Sequence, residues 1–416
     1  MQDWIIFTTG RPEFLYGTDC TVLETYHFGD DVGSAAHVEC EDPPSTIRRW
    51  DRRIRSVESN YDIGLRTALD FVTESNAAVA TIEDVRQLHD VPTDGATGSG
   101  QTVVAMDSGV DTSHPLFSDR SIRQVDVTGS GSGDAVGHGT AVLGQTTRLA
   151  PEAELISLRI FGSEGRTKTN VIMRAYEWLH AHVDEYDVVN MSWGSSEASD
   201  QIDRVHDRLV EKGVRDVVAA GNTGDTSGSP ATAERAFSIG ACTEDGQMAE
   251  FSSYNPQGDN PDVSAIGKDN RLAQASGTTM GTQLSGPWVK ASGTSFAAPE
   301  VAGMVAKYRS REGAVPPKEI LTAFERHARD IRGEPRDGAG LADYAATVGR
   351  STEPDEGDGE WPTTTVRVAE ADAGDRLTLS DDWFASGEYT ATRLSQSATE
   401  TILHLTPNGT ENERSK

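Results

Sequence analysis

Between residues 102 and 241 short apolar runs alternate with amphipathic stretches, and this alternation restricts the fold more than any other feature of the chain. Thr102–Met106, Leu155–Phe161, Asp187–Trp193, Asp216–Ala220 and Ala236–Ala241 are rich in Val, Ile, Leu and Ala and read as short strands buried on both faces. Between them, Asn170–Val183 places Val171, Ile172, Ala175, Trp178, Leu179 and His182 on one helical face, and Gln201–Lys212 is a second amphipathic helix. Ser295–Tyr308 reads as a central helix: Pro299 falls in its first turn, where proline is tolerated, and Ala302 and Gly303 allow close packing. Such a pattern implies an α/β domain of three layers, a mostly parallel sheet with helices on both faces.

The ends of these runs carry candidate chemistry. Ser295 stands on a Gly-Thr turn at the mouth of a helix of small residues, in Gly293-Thr294-Ser295-Phe296-Ala297-Ala298-Pro299. A serine hydroxyl is a poor nucleophile unless a base, an orienting carboxylate and an oxyanion donor accompany it. His138, between glycines in Gly137-His138-Gly139-Thr140, is the candidate base, and Asp107, closing the first apolar run, the candidate carboxylate. Asn222, in Ala220-Gly221-Asn222, offers a side-chain amide to a developing oxyanion beside the Ser295 N–H. Each motif alone is an ordinary turn or cap; the four together, in the order Asp, His, Asn, Ser, are not.

The motifs Ala105-Met106-Asp107-Ser108-Gly109-Val110, Gly137-His138-Gly139-Thr140 and Gly293–Pro299 resemble those of the subtilisin-type serine proteases, the subtilase family, across roughly residues 76–348. The resemblance implies a serine endopeptidase that works through an acyl-enzyme, with Ser295 as nucleophile, His138 as general base and Asp107 orienting it. It also implies that a polypeptide substrate pairs with two edge segments, Phe161–Gly165 (Gly162, Ser163 and Gly165) and Ser192-Trp193-Gly194. Trp193 beside that edge favours an apolar subsite. The sequence departs from the family's usual pattern at Ala141 and Glu300, where histidines are common, and at Ala265-Ile266-Gly267, where Ala-Pro-Gly is common. The connection from Thr146 to Glu154 is shorter than in members that hold a tight calcium there, so no metal site is assigned and no cofactor is expected; a structural calcium has no assignable ligands. A G-x-S-x-G elbow and the order Ser, Asp, His, which an α/β-hydrolase esterase needs, are both missing. A peptide-binding pseudoenzyme would lack a catalytic residue, and all are present.

The first 75 residues fall outside the resemblance and are expected to be an N-terminal extension, either a pro-domain or an unrelated accessory domain, joined through Ser75–Asp94. An acidic linker is expected at 349–362. Beyond it Thr363–Val368, Arg376–Ser380, Glu388–Leu394 and Thr399–Leu405 alternate as strands of a small β-rich appendage over 363–416. Cys20, Cys40 and Cys242 show neither zinc-site nor disulfide-framework spacing. His180 and His182, two apart on a helix, face different directions and do not share a metal. The acidic pairs Glu41-Asp42 and Asp381-Asp382 read as solvated surface. Met1–Gly10 has no basic n-region or long apolar run, so cytoplasmic residence is expected, with secretion as the alternative if the true N-terminus differs.

A net charge of −29 argues against nucleic acid and anionic membranes as partners, and leaves oligomeric state undetermined. Only 7 of the 37 basic residues are lysine, and acid excess with scarce lysine suggests a proteome adapted to high salt, where screening removes self-repulsion. Thermal stability and activity are therefore expected to rise with salt concentration; equal values in dilute and molar salt would refute this.

Overall fold

The computed structural model describes residues 2–41, 52–65, 79–255, 260–331 and 336–349, together with the backbone of four strands beyond residue 363. Asp42, Ser75–Ala78, Asp381, Asp382 and all of the expected linker but Gly349 lie outside the described residues. Residues 1–350 form one unit and 351–416 a second.

The chain begins with an antiparallel sheet of β1 (Gln2–Thr8), β2 (Thr21–His27), β3 (Ser34–Cys40) and β4 (Ile54–Ser59), in the order β2-β3-β1-β4. The pairing Thr21↔Glu39 sets Cys20 across from Cys40, and the two form a disulfide. This corrects the expectation from cysteine spacing, because strand register, not sequence distance, brings the thiols together. Next comes β5 (Asp62–Gly64), which pairs antiparallel with β9 (Arg166–Lys168).

Seven strands then build a wholly parallel sheet: β6 (Thr102–Asp107), β7 (Ile122–Asp126), β8 (Glu154–Arg159), β10 (Val188–Met191), β11 (Arg215–Ala219), β12 (Ser238–Cys242) and β13 (Val263–Ile266). Their order is β13-β12-β11-β10-β6-β8-β7. All five expected strands are present. β7 and β13, the two edges, carry no clear signal in the sequence: Ile122–Asp126 has Arg123, Gln124 and Asp126 among its five residues and buries none of them fully, and Val263–Ile266 has four residues. A smaller sheet joins β14 (Asn270–Ala273), β15 (Thr282–Gln283) and β16 (Trp288–Ala291).

Period-two alternation divides the core. On one face Val103, Ala105, Val188, Val217 and Ile239 pack with α1 (Ile82–Leu88), α2 (His138–Leu149), α5 (Thr294–Glu312) and α6 (Pro317–Arg326), through Val85, Val142, Val301 and Phe324. On the other Val104, Met106, Val189 and Val218 meet α3 (Thr169–Ala181) and α4 (Asp200–Glu211), and the same cluster continues into Ile5, Phe7, Tyr26 and Phe28 of the N-terminal sheet. That fourth layer changes α3. Its buried residues are Thr169, Asn170, Ile172, Met173, Ala175, Tyr176, Leu179 and His180, whereas Val171 and Trp178 are only partly buried and His182 stacks on Trp178 at 4.4 Å. The expected apolar stripe was thus too narrow, because the helix is covered by a sheet on each side. His180 Nε2 and His182 Nδ1 meet different carbonyls, those of Val205 and Trp178.

In the second unit β17 (Thr364–Val368), β18 (Arg376–Leu379), β19 (Gly387–Gln396) and β20 (Thr401–Pro407) form an antiparallel sheet in the order β17-β20-β19-β18, near the four segments read from sequence. Among the described residues no helix is long and apolar enough to cross a membrane.

One polar network lies inside the helix-covered core. Asp216, buried at the start of β11, pairs with the Arg215 guanidinium, accepts the Phe237 N–H at 2.8 Å and lies 2.9 Å from His206 Nε2. His206 Nδ1 in turn meets the Tyr176 hydroxyl at 3.1 Å. Burial pushes the Asp216 carboxyl up, but the Arg215 charge and His206 overcome it and hold the pKa far below the usual carboxylate range. A depressed carboxylate contributes stability that is full above its unfolded pKa of ~3.9 and is lost as pH falls towards its native value. We expect the protein to lose stability below about pH 4 through this group. Asp216→Ala, which strands the Arg215 charge, should cost ~3–5 kcal/mol at neutral pH by urea unfolding; a loss under about 1 kcal/mol would mean that the Pro317 and Arg235 carbonyls alone satisfy Arg215.

Candidate active site

Asp107 ends β6, the strand flanked by β8 on one side and β10 on the other, where the chain's path through the sheet reverses; open parallel sheets place their sites at the carboxyl ends of strands at such a point. The carboxylate is 1% exposed and both of its oxygens meet His138 Nδ1, at 2.8 and 3.0 Å; one also accepts the Ser108 N–H at 2.7 Å. A carboxylate only accepts, so Nδ1 carries the proton and Nε2 presents a lone pair. His138 opens α2, preceded by Gly137 in the left-handed region (φ 94°). Gly139 lies so close to the Asp107 turn that a Cβ on it would stand 2.2 Å from the Gly109 carbonyl oxygen, which explains the glycine after the histidine.

Asp134, which sequence reading passes over, organises this approach. Its Oδ1 accepts the Gly137 and Val136 N–H groups and the Ser108 hydroxyl, and its Oδ2 accepts the Thr140 N–H and hydroxyl. The signal available in the sequence is an Asp ahead of Gly-His-Gly-Thr, a capping residue for the histidine helix.

Ser295 lies in the first turn of α5 and is 5% exposed. Its hydroxyl donates to the Ser192 carbonyl at 3.1 Å, and the Ser192 hydroxyl donates to the Ser295 carbonyl at 2.8 Å. Ser295 and His138 are not hydrogen-bonded in this structure. His138 Nε2 is buried with no partner among the described residues, and the ring lies 5.4 Å from that of Phe296, the residue next to Ser295. Asn222, on the turn after β11, accepts the Thr294 N–H at 2.8 Å and its hydroxyl at 3.0 Å through Oδ1, which orients the amide. A point one bond above the Gly293 α-carbon is 3.4 Å from Asn222 Nδ2 and 3.7 Å from the Ser295 nitrogen, so two donors border one space.

Ser192, Trp193 and Gly194 line an open cleft that ends at Asn222, Thr294 and Ser295, and none of its lining residues is charged. Trp193 is itself 3% exposed and packs in the core below. Gly162, Ser163 and Gly165 occupy the turn into β9, where Gly165 N–H donates to Gly162 O. This edge is already paired: the Leu65 N–H donates to the Gly165 carbonyl at 3.0 Å, following the β5–β9 ladder. Among the described residues no group of three or more His, Cys, Asp or Glu side chains is placed to hold a metal ion, and triad chemistry requires no cofactor.

The model of the subtilase family matches residues 98–354. The chain is 30% identical over 276 residues to subtilisin-like protease 1 of Arthroderma gypseum, covering 63% of this chain and 55% of that protein. It is 30% identical over 259 residues to alkaline protease 1 of Aspergillus clavatus, covering 58% and 61% respectively. The chain therefore spans little more than half the length of these relatives. A crystal structure of a cold adapted subtilisin-like serine proteinase superposes with a TM-score of 0.52 at 22% identity, over 66% of this chain and 95% of the other, a likeness of fold. The expected cytoplasmic residence is corrected by these relatives, which point to an extracellular protein, and the Cys20–Cys40 disulfide suits an oxidising compartment. With its sheet, its four converging turns and a family match over more than half its length, the chain belongs to the subtilase family.

Proposed function

We propose that the chain is a serine endopeptidase in which Asp107, His138 and Ser295 form the triad. The observation that carries this reading is the buried Asp107–His138 pair, its imidazole 5.4 Å from the ring of Phe296 next to Ser295, since that pairing sets the tautomer a general base needs. Ser295 Oγ leaves the Ser192 carbonyl and gives its proton to His138 Nε2 as it attacks the scissile carbonyl. Asp107 stabilises the resulting imidazolium, and the Ser295 N–H and Asn222 amide receive the oxyanion. His138 then protonates the leaving amine, and water resolves the acyl-enzyme by the same steps in reverse. The uncharged cleft beyond Ser192–Gly194 suits an apolar or small polar side chain on the acyl side of the substrate.

We further propose that residues 1–75 act as a pro-domain. Support comes from their sheet, which lies on α3 and α4 and is tied there by Arg174–Glu24, by Asn60 capping the Asn170 N–H, and by the Glu58 and Ser199 side chains. Support comes also from β5 and Leu65, which take the edge assigned to substrate. A peptide that fills this edge keeps substrate out until it is cut and released.

A fluorophosphonate probe should label the wild type and neither Ser295→Ala nor His138→Ala; labelling of His138→Ala at the wild-type rate would remove His138 as the base. Asn222→Ala should keep the triad but lower turnover by about 10²–10³. Intact mass spectrometry should find the wild type shortened at a cut between residues 65 and 94 and Ser295→Ala at full length. Equal masses for the two would instead make the N-terminal sheet a permanent accessory domain.

A further inference from the structure

Ser295 and His138 sit at the heads of two helices, and their separation is set by what joins those helices beneath the cleft. Glu300, about one and a half turns along α5 from Ser295, is fully buried. Its Oε1 accepts the Gln145 amide at 2.9 Å, from α2, whose first residue is His138. The other side of that amide is held by Arg148, so the Gln145 NH2 is directed at Glu300. Glu300 Oε2 has no hydrogen-bond partner and lies 3.8 Å from His89 Nε2. His89, buried at the end of α1, donates Nδ1–H to the Ala342 carbonyl at 2.7 Å and so presents Nε2 as a lone pair.

The third member is a backbone group. The Ile266 N–H donates to His89 Nε2 at 3.4 Å and stands close enough to the Glu300 carboxyl to act on its charge. The next carbonyl, that of Gly267, accepts the Gly293 N–H at 2.7 Å, two residues before Ser295. Gly267 has no room for a side chain: a Cβ there would stand 2.5 Å from the Ala241 Cβ and 2.8 Å from the Gly293 oxygen. Ile266 and Glu300, two of the positions at which the sequence departs from its family's usual motif, are therefore neighbours in space. Burial pushes the Glu300 carboxyl well up and brings the His89 imidazole down to about 4, so the two groups face each other uncharged across 3.8 Å.

We propose that Glu300 is a positioning residue for the hydrolytic reaction, tying the nucleophile turn, through His89, Ile266 and Gly267, to the histidine helix, through Gln145, and so setting the reach between Ser295 Oγ and His138 Nε2. This rests on the proteolytic reading above.

Glu300→Gln keeps the shape and hydrogen bonds of a neutral acid, and Glu300→Leu keeps the volume without them. On active-site-titrated protein whose near-UV circular dichroism matches wild type, the Gln variant should stay within about threefold of wild-type kcat, while the Leu variant loses roughly tenfold to hundredfold in kcat at an unchanged KM. A Leu variant with wild-type kcat, or with only KM altered, would make Glu300 simple core packing and overturn the proposal. Should the Leu variant not fold, Gln145→Leu removes the other end of the tie and is judged by the same split. Wild type that neither titrates nor cleaves peptide sinks the proteolytic reading and this proposal together; active wild type with an unimpaired Leu variant sinks the positioning role alone.

Discussion

Asp107 is a carboxylate withdrawn from water at the end of a central strand, and its need for donors governs the layout around it. Two of its contacts come from one imidazole nitrogen and one from the following amide. To deliver that imidazole, α2 must start beside the end of β6, which requires a turn with no side chain at Gly139 and a second buried carboxylate, Asp134, to satisfy the N–H groups of the approach. His138 Nε2 is left without a partner among the described residues, on a ring 5.4 Å from that of Phe296, the neighbour of Ser295.

The parallel sheet makes this arrangement affordable in entropy. Seven strands running one way put all their carboxyl ends on one edge, where Asp107 and Asn222 sit on turns that follow β6 and β11, while His138 and Ser295 are brought in at the heads of α2 and α5. Alternate residues of each strand feed two cores, one beneath α2 and α5 and one beneath α3 and α4. The first carries the helices headed by Ser295 and His138, and the second carries the N-terminal sheet. The His138 and Ser295 helices are thus packed on the side opposite the one where the N-terminal segment docks, while β5 and Leu65 reach the Gly165 edge.

Legibility followed local physics. Strands buried on both faces announce themselves as unbroken apolar runs, which is why β6, β8, β10, β11 and β12 were readable, while β7 is an edge with Arg123, Gln124 and Asp126 and looks like a loop. The stripe on α3 misled because a single-sided face was assumed for a helix lying between two sheets. Ser295, His138, Asp107 and Asn222 stood out because each needs a glycine-marked turn that few other roles demand. Asp134 could have been read as a cap, because Val136, Gly137 and Thr140 lie just after it, whereas Gln145 and Glu300 meet across 155 residues and nothing beside either in sequence reveals the other.

From the residues alone came the layer order, the candidate nucleophile, base, carboxylate and amide, and the acidic surface, all consequences of periodicity and of side-chain chemistry within a few residues. Tertiary structure decided the rest: the pairing of Cys20 with Cys40 through strand register, the occupation of the Gly165 edge by Leu65, and the link from Glu300 on α5 to Gln145 on α2. Register and interhelical contact depend on how distant segments meet, and no local pattern encodes a meeting of that kind.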